Sequence, residues 1–186
     1  MNKRIKKIII AFVTIVLIVG IINLVWVMVC FLPYNNYAKK MKKIGEEEGG
    51  NLLVSHELYT EDYHITLSMP GYLQFKNPGY ISITYAEPVT LEYNSDGYVA
   101  NSSRDLDIII YIWLDKIWGD NYGVMIWDYS NGCCYQVYFD SDIKYVSNDE
   151  VDIETNNVAQ TLLDDNRDEI EKMLQYLEET IGLKIK

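Results

Sequence analysis

An apolar run near the amino terminus constrains this chain more than any other feature of its sequence. The 25 residues from Ile8 to Leu32 carry no formal charge. At a rise of about 1.5 Å per residue, a helix of that length measures about 37 Å, which exceeds the ~30 Å hydrocarbon core of a bilayer. A slightly tilted helix accommodates the excess. The sequence therefore predicts a transmembrane helix over Ile8 to Leu32, with the lipid bilayer as its partner.

A cleaved signal peptide is the competing interpretation of this run. Signal peptides have an apolar core of roughly 7–15 residues, followed by small residues at the cleavage site. The run is longer than that, and the bulky Val29 stands where a lipoprotein signal ending at Cys30 needs a small residue. We therefore expect an uncleaved signal anchor, with Trp26 and Tyr34 as interfacial aromatic residues near its second end.

Basic residues flank the run equally on its two sides, so the positive-inside rule alone does not fix its orientation. Four of them abut its first end, whereas the other four begin seven residues beyond its second end. The first group is Lys3, Arg4, Lys6 and Lys7, and the second is Lys39, Lys40, Lys42 and Lys43. Because the first group lies closer to the span, the sequence predicts a cytoplasmic tail over residues 1–7 and an extracytoplasmic body.

The body that follows is strongly acidic. Residues 44–186 contain eight basic against 27 acidic residues, a net charge of −19. Such a charge repels nucleic acid and favours basic peptides, proteins or cations as partners, so we expect no nucleic-acid partner. The abundance of Ile, Asn, Lys and Tyr is typical of a bacterial source.

The organisation of the body follows from its hydrophobic patterns. Residues 33–50 are predicted to form a basic juxtamembrane helix that ends near Gly45, followed by an acidic linker. Residues 51–186 are predicted to form one domain. Between Leu52 and Val146, apolar residues alternate at period two between turn signals, which indicates about five to seven antiparallel strands. The segment from Ile108 to Leu114 is apolar at both its odd and its even positions, which predicts a central strand covered on both faces.

A helical pattern ends the chain. Five apolar residues follow the spacing of one helix face, two more upstream extend the stripe, and Gly182 is placed to end the helix. The stripe consists of Val158, Leu162, Ile170, Met173, Leu174, Leu177 and Ile181. Strands followed by an amphipathic helix predict an α+β fold in which the helix packs on the antiparallel sheet.

An Asn-Gly pair predicts the turn of a hairpin. If Asn131 and Gly132 are the central residues of a type I′ turn, Val124 faces Phe139 and Tyr129 faces Cys134. Val124 and Phe139 then belong to an apolar face of the hairpin.

Two adjacent cysteines follow this turn. Neighbouring side chains in a strand point to opposite faces, so we expect Cys133 and Cys134 to be separate thiols that share neither a metal ion nor a disulfide.

Metal and cofactor sites are not indicated by the sequence. A hairpin turning at Thr60 and Glu61 places Glu57 opposite His64, and one such pair supplies too few ligands for zinc. The segment 92–103 resembles a calcium loop only in part, because its last position is Ser103 and not a bidentate Glu. We therefore expect no metal ion and no cofactor.

Aromatic residues are the stronger signal for a binding surface. The chain contains 16 Tyr and four Trp. Trp127, Tyr129 and Tyr138 are predicted to share one face of the hairpin, and Tyr111 and Trp113 share one parity of the central strand. Such residues are enriched at recognition surfaces, although they also pack within sheets. We take Trp127, Tyr129 and Tyr138 as candidate partner-binding residues.

No sequence motif of an enzyme is present, since the chain lacks a nucleophile elbow, a phosphate-binding loop, a zinc-protease motif and a dinucleotide fingerprint. The leading hypothesis is a membrane-anchored module that binds a protein or peptide. One alternative is a tethered hydrolase with a pair of carboxylates, which predicts two acids close together in a pocket. Another is a structural or regulatory tether that acts through its transmembrane helix.

Overall fold

The computed structural model describes residues 3–47, 56–86, 90–94, 97–101, 106–129, 132–146 and 153–185. A long amino-terminal helix leads into a six-stranded antiparallel sheet, and two helices end the chain. The predicted α+β class is confirmed. The predicted linker segment around Gly49 and Gly50 lies outside the described residues.

The helices are α1 (Lys3–Trp26), α2 (Leu32–Glu47), α3 (Ile153–Asp165) and α4 (Arg167–Ile181). The strands of the main sheet are β1 (Glu57–Tyr59), β2 (Tyr63–Ser68), β3 (Tyr80–Tyr85), β6 (Leu106–Trp113), β7 (Asn121–Asp128) and β8 (Cys133–Phe139). A separate hairpin pairs β4 (Thr90–Asn94) with β5 (Gly97–Asn101).

The first helices form one continuous rod. A π-helical turn over Val27–Phe31 joins α1 to α2, and the Leu32 N–H donates to the Val27 carbonyl, five residues back. The wider turn ends two residues before Pro33, which has no N–H to donate to the preceding turn. In composition and length, the helix Arg4–Gly45 qualifies as one candidate membrane span, and its most apolar stretch is not buried.

The second half of this rod belongs to the domain core. Tyr34, Ala38 and Met41 are buried in the same cluster as the sheet and α4. Their spacing places them on one face of α2. The stretch predicted as a juxtamembrane segment therefore packs along the sheet. The expected interfacial residues Trp26 and Tyr34 are instead buried within the protein.

The strand order in the main sheet is β1-β2-β3-β6-β7-β8. Its registers place Ser68, Tyr80, Trp113 and Asn121 at one end of the strands, which we call the helix-entry end. This end carries the β2–β3 loop (69–79) and the β6–β7 loop (114–120). The opposite end carries the β1–β2 and β7–β8 turns.

The rod is fastened to the sheet at the helix-entry end. The Tyr34 hydroxyl donates to the Gly79 carbonyl at 2.7 Å and accepts from the Leu114 N–H at 2.8 Å, so one buried side chain bridges both loops. Further along, Lys40 Nζ donates to the Ile181 carbonyl at 2.9 Å. That contact places a cation at the carboxyl end of α4, where the helix dipole favours positive charge.

The inner face of the sheet is mostly aliphatic, with Tyr63, Tyr122 and Phe139 as buried aromatic members, and it lies under α2 and α4. Ile83, Ile110 and Val124 are fully buried there, as are Met173 and Leu177 on α4. Burying side chains of this size contributes roughly 1.5–3 kcal/mol each. The inner face is therefore the main source of stability.

The predicted two-residue turn of the β7–β8 hairpin is wrong. Asp128 pairs with Cys133, so a four-residue connection over 129–132 replaces it, and Val124 pairs with Val137 rather than with Phe139. Trp127, not Tyr129, lies opposite Cys134. A shift of two residues leaves every side chain on its predicted face, which is why hydrophobic alternation did not distinguish the two registers.

The first hairpin shows the same kind of shift. His64 pairs with Tyr59 and not with Glu57 as predicted. Thr60 organises this turn, since its side-chain oxygen accepts from the Tyr63 N–H at 3.1 Å. The Tyr59 and His64 rings stack at 4.0 Å between centroids.

The carboxyl-terminal pattern forms two helices, because regular helix is interrupted at Asn166. Gly182 ends α4 in the left-handed conformation with φ 70°, as predicted. Val158 is exposed, contrary to the predicted stripe, and Ala159 is buried instead. Ala159 and the fully buried Leu163 are four residues apart and therefore share the buried face of α3.

The central strand β6 is not covered equally on its two faces. Ile108, Ile110 and Ile112 are buried on the inner side. Tyr111 and Trp113 are only half-buried on the outer side. The prediction of a strand buried on both faces is therefore wrong, and the outer face of β6 carries side chains that remain partly exposed.

Candidate functional site

The candidate site is the outer face of the sheet, on the side away from the helices. Side chains alternate along a strand, so residues two apart on β6 and β7 share this face. Their aromatic members are Tyr80, Tyr111, Trp113, Trp127 and Tyr138. Four of these are half-buried, and Trp127 is 41% exposed.

Four of the rings, from β3, β6 and β8, form a continuous row over four neighbouring strands, which we call the aromatic row. Tyr80 meets Tyr111 edge-on at 5.5 Å, and Tyr111 stacks with Trp113 at 5.9 Å. Trp113 then meets Tyr138 at 5.9 Å. These centroid distances lie in the range where ring pairs are worth about 0.5–1.5 kcal/mol beyond their burial. The row is thus held in place by its own contacts.

Gly123 makes room for this row in the middle of β7. It pairs with Tyr111 on one side and with Tyr138 on the other. A Cβ at this position would lie 3.1 Å from the Trp113 ring and 3.4 Å from the Tyr138 ring. The absence of a side chain therefore lets rings from β6 and β8 meet over β7.

Burial also affects the acid–base chemistry of the row. Desolvation raises the pKa of Tyr111, and the neighbouring Tyr80 and Cys134 raise it further. The Tyr111 hydroxyl therefore stays protonated at neutral pH and can act as a hydrogen-bond donor.

A second group of outer-face residues lies toward the opposite end of the sheet. Trp127 pairs with Asp107 on β6 and with Cys134 on β8. Tyr129 follows β7, and burial raises its pKa, with smaller contributions from Asp107 and Cys134. Trp127, Tyr129 and Cys134 therefore occupy one neighbourhood.

The three candidate partner-binding residues do not form a single contact group. Trp127 and Tyr129 lie near the opposite end of the sheet. Tyr138 belongs to the aromatic row, four residues from Cys134 along β8 and thus about 13 Å away. Sequence reasoning missed Tyr80 and Gly123. An isolated Gly within a strand pattern was the available signal for Gly123, because it often marks a close approach.

The two adjacent cysteines begin strand β8, which directs their side chains to opposite faces as predicted. Neither takes part in a disulfide, and Cys134 is exposed on the outer face. Burial raises the pKa of Cys134. A raised pKa disfavours the thiolate, so the surroundings do not activate this thiol as a nucleophile.

His64 and Glu57 lie close together on the first hairpin, where their contact has a structural role. His64 Nε2 lies 4.0 Å from a Glu57 carboxylate oxygen. Desolvation lowers the pKa of His64, and Glu57 partly opposes the shift. Within the part of the chain that the structure describes, no group of three or more His, Cys, Asp or Glu side chains is placed to hold a metal ion.

Asp115 is the buried charged residue among those described. One carboxylate oxygen accepts from the N–H groups of Ile117 and Trp118 at 3.0 Å, and the other accepts from the Asn77 N–H at 3.3 Å. Asp120 lies beside it and accepts from the Asp115 N–H. These hydrogen bonds shape the β6–β7 loop, which gives the pair a structural role.

No protein-family model, curated protein or solved structure matches the chain.

Proposed function

We propose that this chain is a single-pass membrane protein whose acidic domain lies outside the cytoplasm and binds a protein or peptide. The aromatic row, together with the separate Trp127 toward the opposite end of the same face, is the observation that carries the binding role. It places large rings in partly exposed, mutually packed positions on the face of the sheet away from the helices. Rigid aromatic side chains of this kind contribute much of the affinity at protein interfaces.

The negative charge of the domain favours a basic partner. The domain carries a net charge of −19 over residues 44–186, and Asp107 lies next to Trp127 on the outer face. A partner with Lys or Arg side chains gains both cation–π contacts with the rings and attraction to the carboxylates. We therefore propose a basic protein segment rather than a nucleic acid.

The first half of the rod supports the membrane anchor. Its apolar side chains from Ile8 to Val25 are almost all exposed, and the segment 8–25 measures about 27 Å as a helix. That length approaches the ~30 Å thickness of the hydrocarbon core. A row of exposed Ile, Val, Leu and Phe side chains is unfavourable in water, and lipid relieves that cost.

The packing of the rod supports an amino terminus in the cytoplasm. The exposed apolar segment ends near Val25, and Lys39 follows 14 residues later, about 21 Å along the helix. That distance exceeds the Debye length of about 8 Å at physiological salt. Among the basic residues of the rod, those that precede Ile8 therefore lie closest to the apolar segment. Protease treatment of intact cells tests this orientation, and a domain that survives in sealed cells contradicts it.

Site-directed crosslinking tests the binding surface. Cys134 is exposed on the outer face, and a Cys133→Ser change leaves it as the single accessible thiol because Cys30 is buried. A photo-crosslinker attached there, in opened native membranes, is expected to capture a discrete partner. The matched control places the thiol on the exposed side of α4 with Glu171→Cys in a Cys133→Ser, Cys134→Ser background.

Trp127→Ala provides the second arm of this experiment. Because Trp127 lies opposite Cys134, its removal is expected to reduce capture from Cys134 at least several-fold while the domain stays folded. Equal capture from Cys134 and from the control thiol on α4 contradicts the proposal. Capture that is unaffected by Trp127→Ala contradicts the assignment of the surface.

A further inference from the structure

We infer that the helix-entry end of the sheet is a membrane-contacting surface, on which Tyr72, Leu73, Ile117 and Trp118 enter the headgroup region of the bilayer that the rod crosses. This inference rests on the membrane anchor proposed above and adds a second contact with the same membrane. The four side chains lie in the β2–β3 and β6–β7 loops, and each is exposed.

The β2–β3 loop follows the rod toward its lipid-exposed half. The Tyr34 hydroxyl contacts Gly79 at one end of the loop, and Trp26 Nε1 donates to the Gly71 carbonyl at 3.2 Å near the other. Trp26 and Tyr34 are eight residues apart, about 12 Å along the helix. The loop therefore reaches about 12 Å beyond the sheet along the rod.

Tyr72 of the β2–β3 loop contacts the rod at the end of its exposed apolar segment. Its ring meets Trp26 edge-on at 5.3 Å, and its hydroxyl donates to the side-chain oxygen of Asn23. Tyr72 is nevertheless 69% exposed. Because the rod is one continuous helix, lipid that covers Ile22 also reaches the level of Tyr72.

The β6–β7 loop presents its own apolar tip at the same end of the sheet. Asp115 accepts from the N–H groups of Ile117 and Trp118, which fixes the turn. The Asn77 N–H donates to the same carboxylate, which joins this loop to the β2–β3 loop. Trp118 is held outward with 62% of its surface exposed. Trp and Tyr are the residues enriched at membrane interfaces.

The charges at this end differ from those of the domain as a whole. In a body with a net charge of −19, the carboxylates of the two loops are those of Asp115 and Asp120, and both are turned inward with at most 13% exposure. The outward charges of the loops are Lys76 and Lys116. Lys116 also lies 3.8 Å from Asp120, so the two loops carry no net charge, and an anionic headgroup surface is repelled less by them than by the rest of the domain.

Depth-dependent fluorescence quenching tests the inference on the full-length protein. The protein is reconstituted in vesicles of phosphatidylcholine and phosphatidylglycerol whose acyl chains carry bromine either near the headgroup or deep in the core. Trp118→Phe is expected to remove a component that shallow bromine quenches. Trp127→Phe is the matched control, because Trp127 is also exposed but lies toward the opposite end of the sheet. Its removal is expected to raise the quenched fraction.

Trp26 allows failure of the membrane anchor to be distinguished from failure of the second membrane contact. It lies beside the end of the exposed apolar segment, so its quenching in a Trp113→Phe, Trp118→Phe, Trp127→Phe variant, in which it is the single Trp, reports the anchor itself. Quenching of Trp26 without any loss on Trp118→Phe overturns the second membrane contact and leaves the anchor intact. An absence of quenching at every Trp overturns the anchor and the inference together.

Discussion

The two faces of the sheet are built from different side chains and have different surroundings. On β6, Ile110 of the inner face is fully buried, whereas its neighbour Ile109 on the outer face is half-buried. The inner face is mostly aliphatic, its aromatic members are buried, and it lies under α2 and α4. The outer face carries the aromatic row, whose rings contact one another over four neighbouring strands.

This difference assigns different roles to the two faces. Burial under the helices makes the inner face the source of folding free energy. The outer face leaves large rings partly in water, in positions fixed by stacking and by the room that Gly123 provides. Rings that are already ordered lose little side-chain entropy when a partner covers them. The outer face is therefore suited to recognition.

Alanine substitution on β6 gives the largest expected difference between the faces. Ile110→Ala removes a fully buried side chain and is expected to lower the free energy of unfolding by about 2–5 kcal/mol. Ile109→Ala is its matched control, with the same residue type in the same strand, and is expected to cost less than half as much. Urea denaturation of both variants in one detergent measures the difference. Equal losses would indicate a strand buried equally on both faces, as the sequence predicted.

Removing the Tyr34 hydroxyl, which fastens α2 over the inner face, is expected to cause the next largest loss in the free energy of unfolding. Tyr34→Phe keeps the buried ring but removes the hydroxyl that bridges Gly79 and Leu114. An unpaired buried N–H is costly, so the free energy of unfolding is expected to fall by about 1–3 kcal/mol. Tyr37→Phe, one turn further on, is the control for removing a phenol and should have little effect. Similar losses in both variants would show that the bridge does not stabilise the domain.

The sequence predicted which face each strand residue occupies better than it predicted partners across the strands. Alternation placed Val124 and Ile126 inward and Trp127 outward, because a register error of two residues does not change faces. Pairing depends on the length of the turns, and the Asn-Gly signal did not fix that length.

The helical rod shows a different kind of gap between sequence and structure. Tyr34, Ala38 and Met41 have the spacing of a buried helix face, but the basic residues around them favoured a juxtamembrane segment. The sequence indicated a turn at Asn77-Pro78-Gly79 but not that the two helix-entry loops lie together. Tyr72 and Trp118 lie in separate loops that only the strand order brings to one end of the sheet.

The smallest expected effect is on the pH dependence of the free energy of unfolding, which reports how far the outer face is desolvated at the first hairpin. His64 lies on the outer face of β2, stacked on Tyr59, and desolvation lowers its pKa below the usual 6.5 despite the opposing effect of Glu57. The folded state therefore binds a proton less readily than the unfolded state. The stabilising contribution is present above pH 6.5 and is lost as the pH falls through the lowered pKa.

His64→Gln is accordingly expected to weaken the loss of unfolding free energy between pH 7.5 and about pH 5.5. Glu57→Gln should strengthen that loss slightly, since it removes the charge that favours the protonated imidazole. Urea midpoints measured at both pH values for the two variants and the parent compare these slopes. If His64→Gln is as sensitive to pH as the parent, solvent reaches His64 freely, and the outer face is wetter at this hairpin than its half-buried side chains indicate.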